Sequence, residues 1–206
     1  EKSTIPVINA LSDKHHPCQA AADLMTIIEK KGTENITIAW VGDGNNVLHD
    51  LILASSIFGF NINWAVPKGY EPDEDVIVRA NQISEITGSK LNETNDPKKA
   101  VKGADVIYTD VFISMGEENL DKKKDAFSNF QINDELVSGA KEDYIFMHCL
   151  PAHRGEEVTD SVIDSKNSVV FDQAENRMWA QMSLLTYLLN KPAWDTYCEL
   201  LEIDFN

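Results

Sequence analysis

Arginine is scarce. Arg79, Arg154 and Arg177 are the only three in 206 residues, so 15 of the 18 basic residues are lysines. A phosphate dianion is usually gripped by arginine forks or by a glycine-rich nest, and this chain is poor in both. Positive charge is short overall: 34 acidic against 18 basic residues give a net charge of -16 and a pI of about 4.6. That balance excludes a protein built to bind nucleic acid, which needs a basic footprint. Cysteine is rare and unpaired. Cys18, Cys149 and Cys198 form an odd set with no C-x-x-C spacing, which argues against a disulfide framework and for a reducing compartment. No apolar run approaches the ~18 residues of a membrane span, so no membrane partner is expected. The chain opens Glu1, Lys2, Ser3 without a signal-peptide pattern or a Met, and an upstream segment is expected. There is no internal repeat and no low-complexity tract.

What is present is a regular alternation. Apolar runs at 36–41, 62–66, 105–109, 144–147 and 168–171, with a short one near 90–92, read as strands. Segments at 16–30, 47–58, 75–87, 133–138 and 174–189 carry helical spacing, and a short helix is expected from Pro97 up to Gly103. Ser12 and Asp13 are placed to cap the first helix, and Gly32, Gly59 and Gly88 to end three of them. The charged stretch 117–125 reads as a solvated loop or exposed helix. Strands alternating with helices predict a doubly wound parallel sheet, a Rossmann-like three-layer α/β fold with right-handed crossovers. The last helix, with Met178, Met182, Leu185, Leu188 and Leu189, is too apolar for a solvated flank.

Three strand ends carry reactive or polar residues, where open parallel sheets present their chemistry. The first is Gly42, Asp43, Gly44, Asn45, Asn46. It follows a strand and opens a helix, as a dinucleotide fingerprint must. However, Val47 stands where the third glycine belongs, and the second strand ends Val66, Pro67, Lys68 without a ribose-binding acid. A small carboxylate at the helix N-terminus fits better; a plain turn is the simplest alternative. The second end is Asp110, which could hold an ammonium group or serve as a helix N-cap. The third is the pair His148 and Cys149 before Pro151. Neighbours on a strand face opposite ways, so a thiol–imidazole pair within this dipeptide is geometrically poor. Zinc ligation by His15, His16 and Cys18, or by His148, Cys149 and His153, lacks finger spacing, and no metal is expected. Arg177, near the start of the last helix, reads either as a surface ion pair or as a donor turned into the pocket.

Taken together, five motifs resemble the ornithine carbamoyltransferase family: His16-Pro-Cys-Gln19, Gly42-Asp-Gly-Asn-Asn46, Asp110-Val-Phe-Ile-Ser-Met115, His148-Cys-Leu-Pro151 and Ala174-Glu-Asn-Arg177. They run in order along almost the whole chain. The resemblance implies transfer of a carbamoyl group from carbamoyl phosphate to the δ-amine of ornithine, giving citrulline and phosphate, a step of arginine biosynthesis. It implies that Asn46, Asp110, Ser114 and Met115 bind ornithine. His16 and Gln19 would meet the carbamoyl group, and Cys149, Leu150 and Arg177 the reacting centre, with Cys149 as proton acceptor. It further implies no cofactor, a homotrimer, and a cytoplasmic or mitochondrial-matrix location. The family's phosphate-binding Ser-Thr-Arg-Thr loop is not in this sequence. Residues 1–35 are therefore expected to be the end of a carbamoyl-phosphate domain with its connecting helix, 36–172 an ornithine domain, and 173–206 a helix that packs back on the first domain. On that reading the isolated chain turns over poorly or not at all. The rival reading is a non-catalytic amino-acid-binding module that keeps the family pocket.

Overall fold

A computed structural model describes residues 3–113 and 120–201. Ser114 and Met115 lie outside the described residues. Five parallel strands, β1 (Thr37–Val41), β2 (Asn61–Ala65), β3 (Leu91–Thr94), β4 (Val106–Thr109) and β5 (Ile145–His148), form one sheet in the order β3-β2-β1-β4-β5. Within the sheet, side chains alternate between two apolar layers. Ile38, Trp40, Val106, Tyr108, Ile145 and Met147 join one core. Ala39, Val41, Ile107 and Phe146 join the other. The central strands are thus buried on both faces, the condition under which a parallel sheet is stable.

The first layer is covered by α1 (Pro17–Lys31), α2 (Asn46–Phe58) and α3 (Glu74–Thr87). The second is covered by α4 (Pro97–Val101), α5 (Leu120–Phe127), α6 (Asp134–Val137) and α7 (Asp160–Ile163). Then α8 (Val170–Leu189) packs along α1, and α9 (Lys191–Leu200) packs on α8. α2 shows how the local sequence sets an element. Asn45 Oδ1 accepts from the amides of Val47 and Leu48 at 3.1 Å each, and Gly59 closes the helix at φ 72°. Such an N-cap is worth about 1 kcal/mol.

Three expectations are corrected. Residues 168–171 do not form a strand. Ser168 makes one bridge to Phe146, and the chain turns into α8 at Val170. There the buried positions Val170, Gln173 and Asn176 follow helical spacing while Phe171 is 78% exposed; period, not β-branching, decides. The cap of α1 is not Ser12 or Asp13 but His16, with Pro17 in the first turn, and Ser12 closes a tight turn on His15 instead. Lastly, the described part of 117–125 is not simply solvated. Lys123 is buried, pairs with Asp43 at 2.6 Å and lies over the rings of Tyr70 and Phe127.

Candidate active site at the carboxyl edge of the sheet

The turn after β1, the end of β4 and the end of β5 meet at one carboxylate. Asp110 Oδ2 accepts from Asn45 Nδ2 at 2.8 Å, and its Oδ1 accepts from the Val111 amide at 2.8 Å and from the Cys149 thiol at 2.9 Å. Asp110 is 9% exposed, so it sits behind its partners with little water. Here the N-cap alternative is also answered: Asp110 caps no helix, whereas Asn45 caps α2 and spends its other end on Asp110. Asn46 turns away and donates to the Ser12 carbonyl at 2.8 Å.

Gly44 explains the glycines of this turn. A Cβ there would stand 2.3 Å from the Tyr70 carbonyl, which accepts from the Gly44 amide at 2.9 Å. Residues 70–72 pack directly against the turn, so only glycine fits at this position.

Cys149 is held as a thiol. Burial first, then the charge and hydrogen bond of Asp110, push its pKa well above the ordinary thiol value. In this arrangement it donates to Asp110, whereas the family resemblance casts it as a proton acceptor. His148 faces the other way, as strand alternation requires. Its Nδ1 accepts from the Leu150 amide at 2.9 Å, so the ring proton is on Nε2, which faces Glu157 at 3.2 Å. Both residues are fully buried. Glu157 also takes the His153 amide. The pair therefore pins both sides of the turn in which Leu150, at φ 57°, precedes a cis bond to Pro151. That φ is uncommon for a non-glycine residue and persists where surrounding contacts over-determine it. Ligating atoms of Asp110, His148 and Cys149 come within 4.8 Å of one another, but the hydrogen bonds above already engage all three. His153 joins a different group, with Glu156 and Glu157.

A second set of residues adjoins this one. Gln19, in the first turn of α1, is 1% exposed; its Oε1 accepts from Arg177 Nη1, and its Nε2 donates to Asp23 at 2.8 Å. Arg177 is thus half-buried and turned inward, not paired at the surface. His16 Nδ1 and Arg177 Nε are buried and have no protein hydrogen-bond partner among the described residues. Desolvation, with Arg177 second, holds the His16 imidazole below its ordinary pKa. Each orphaned buried polar atom costs ~1–3 kcal/mol, a cost that a polar ligand would remove.

The residues behind this set were not singled out from the sequence. Asp23, fully buried, receives Gln19, Gln173 Nε2 at 2.7 Å and the Tyr108 hydroxyl at 2.9 Å. Gln173 Oε1 in turn accepts from the His148 amide at 2.9 Å. A signal was available: Gln19, Asp23 and Thr26 recur at helical spacing in phase with the apolar stripe of α1. A cleft of about 610 Å³ lined by Phe112, Phe127, Lys98 and Glu156, among others, contains none of the residues named from the sequence for the site.

The family model described as "Aspartate/ornithine carbamoyltransferase, Asp/Orn binding domain" matches residues 34–188, and the carbamoyl-P binding domain of the same family matches residues 1–29. The anabolic ornithine carbamoyltransferase of Pyrococcus furiosus is 57% identical over 189 residues, covering 91% of this chain and 60% of the relative. The catabolic enzyme of Thermoplasma acidophilum is 54% identical, covering 91% and 62%. Among solved structures, the ornithine carbamoyltransferase of Pyrococcus furiosus superposes with a TM-score of 0.86 at 57% identity, over 89% of this chain and 59% of that one. The anabolic enzyme of Campylobacter jejuni also gives 0.86, at 38% identity, over 92% and 63%. The chain thus spans about three fifths of the length of the relatives it matches. With a five-stranded parallel sheet, three strand ends meeting at Asp110 and a domain-length sequence match, the chain belongs to the aspartate/ornithine carbamoyltransferase family.

Proposed function

We propose that this chain carries the ornithine-binding half of an ornithine carbamoyltransferase, which moves a carbamoyl group from carbamoyl phosphate to the δ-amine of ornithine. The observation that carries the reading is the convergence of Asn45, Cys149 and Asp110 within 2.9 Å contacts beside the inward-turned Arg177 on buried Gln19. The α-ammonium of ornithine is assigned to Asp110, with Ser114 and Met115 on the segment that follows, and the α-carboxylate to the Asn46 end of α2. The carbamoyl group is assigned to His16, Gln19, Leu150 and Arg177. The orphaned Nδ1 of His16 and Nε of Arg177 are the atoms that such a group would satisfy. The phosphate-holding residues are assigned to the share of the relatives that this chain does not span. The exposed apolar face of α8 is assigned to packing against that carbamoyl-P domain. A homotrimer and a cytoplasmic or mitochondrial-matrix location complete the proposal.

The chemistry needs a neutral amine. A free alkyl ammonium titrates near ~10.4, so reaching neutrality costs about 4–5 kcal/mol at ~1.36 kcal/mol per unit. A water-poor site offsets part of this by disfavouring the charged form. The thiol is not ready to accept a proton, because it carries its own and donates it to Asp110. An ammonium arriving at Asp110 would displace the S–H and compensate the carboxylate charge, and both changes lower the thiol pKa. The thiol, its pKa lowered, would pass its proton to water as the substrate enters, and the resulting thiolate would face the δ-ammonium and take its proton, with ornithine held in line by the two contacts at its far end.

The test is a titration of L-ornithine into this chain by calorimetry. A citrulline assay follows, with the chain alone and after addition of the carbamoyl-P domain of the Pyrococcus furiosus enzyme. Expected are weak ornithine binding, little citrulline from the chain alone, and turnover on complementation. Asp110→Ala should lower ornithine affinity by about 30-fold or more, the cost of truncating one side of a buried charged pair. Ornithine binding with no turnover after complementation would favour the non-catalytic binding module. An Asp110→Ala variant with unchanged affinity would overturn the site assignment.

A further inference from the structure

Asp23 lies behind the carbamoyl-group residues and is itself fully buried, out of a substrate's reach. Three elements end on it. Gln19 of α1 and Gln173 of α8 both place their Nε2 on Oδ1, at 2.8 and 2.7 Å, and Tyr108 of β4 places its hydroxyl on Oδ2 at 2.9 Å. The direction of each amide is chemically fixed. The far end of Gln173 meets the backbone amide of His148, which can only donate. The far end of Gln19 meets Arg177, which also can only donate. Each glutamine must therefore show its oxygen to that donor and its NH2 to Asp23. The relay closes only if the residue at position 23 accepts from both.

We infer that Asp23 is a positioning residue. By accepting from Gln19 and Gln173 on one oxygen, it fixes the amide orientation that holds Arg177 and, independently, the His148 end of β5, from which Cys149 and Leu150 extend. One acceptor atom thus ties the group assigned to the carbamoyl oxygen to the strand end assigned to the amine. This rests on the proposed carbamoyltransferase reading for its effect on turnover, but not for its effect on the two amides.

The geometry also says which substitution tests it. An asparagine can keep Oδ1 toward both glutamines and donate its NH2 to Tyr108, whose hydroxyl accepts as well as donates. An alanine offers no acceptor. The groups facing Asp23 that carry or can carry charge are Tyr108 from β4, Arg177 from α8 and Cys149 beyond β5. Desolvation raises the carboxyl to about 6, within reach of a titration.

The experiment follows the side-chain amide resonances of Gln19 and Gln173 by 1H–15N NMR on the full chain between pH 5 and 8. In the wild type both should shift together with a midpoint near that of Asp23. In Asp23→Asn they should stay near their wild-type acid-limit positions and not titrate. In the complemented enzyme, Asp23→Ala should raise KM for carbamoyl phosphate by about tenfold, the effect of releasing a charge-assisted hydrogen bond, and Asp23→Asn should bring KM back toward the wild type. If Asp23→Ala does not fold, the wild-type and Asp23→Asn amide spectra decide alone. Glutamine amides that exchange with water as fast as free side chains in the wild type, or Asp23→Asn failing as badly as Asp23→Ala, would overturn the inference. Loss of citrulline formation in every protein, with the amide titration intact, would count against the reaction and leave the positioning role standing.

Discussion

In its first two turns α8 buries Gln173 and Asn176 against α1 and turns Arg177 inward, whereas farther along Met182, Leu185 and Leu189 stand 51%, 45% and 71% exposed. This inverts the usual amphipathic helix. Polar side chains can be buried only where each finds a partner, and α1 supplies them. Gln19 and Asp23 serve Arg177 and Gln173, while Thr26 and Glu29 serve Asn176 at 3.0 and 2.8 Å. Beyond the last of these contacts α9 covers part of the helix, with Trp194 edge-on to Tyr187, and Met182, Leu185 and Leu189 are left exposed. The same helix thus marks the candidate site at one end and, on the proposal above, a docking face at the other.

The sharpest way to break this contrast is to remove a polar partner from the buried half. Gln173→Leu leaves Asp23 one donor short and orphans the His148 amide. At ~1–3 kcal/mol for each buried polar group left unpaired, a loss of about 2–4 kcal/mol is expected in urea denaturation at pH 7. A result within about 0.5 kcal/mol of wild type would mean the relay contributes nothing to the fold.

Asp23→Asn should act in the opposite direction. The folded carboxyl, raised to about 6 from 3.8, is protonated more readily in the folded than in the unfolded chain. Its ionised form therefore costs stability above the folded value, and that cost fades as pH falls from 6 to 4. The difference of about 2.2 units corresponds to at most about 3 kcal/mol at neutral pH. Asp23→Asn should raise Tm at pH 7 and lose that advantage by pH 4. A Tm gain that stays constant across this range would show that the carboxylate charge is not its source.

The smallest effect belongs to the exposed half. The double change Met182→Ser and Leu185→Ser should alter the stability of the isolated chain by no more than about 0.5 kcal/mol, as expected for surface positions. On the domain-packing proposal it should also weaken complementation by the carbamoyl-P domain. A destabilisation of several kcal/mol in the isolated chain would place this face inside its fold.

Much of the architecture was legible because periodicity and turn residues speak locally. β1, β2 and β4 and the helices α1 to α4 lie within a few residues of their expected places. The stretch 168–171 was misread because four residues rich in valine carry the same signal in a strand and in the first turn of a helix. The short α7 and the final α9 were missed, each having too few turns to show a period. Of the site, Asp110, Cys149 and Arg177 were visible as polar residues at strand or helix ends. Gln173 and Glu157 were not, since each is meaningful only through partners 9 to 150 positions away, and Asp23, although in helical phase with Gln19, takes its role from Gln173 and Tyr108.

The sequence alone determined the alternation of strands and helices, the shortage of phosphate-gripping arginine and the family to which the motifs point. Hydrophobic period and residue type are properties of neighbours along the chain. Packing in three dimensions settles that Cys149 donates to Asp110, that Asn45 and not Asn46 reaches it, and that two glutamine amides meet on one buried carboxylate. Those outcomes depend on which dipoles and charges are brought within about 3 Å in a water-poor interior, where electrostatic interactions are strong.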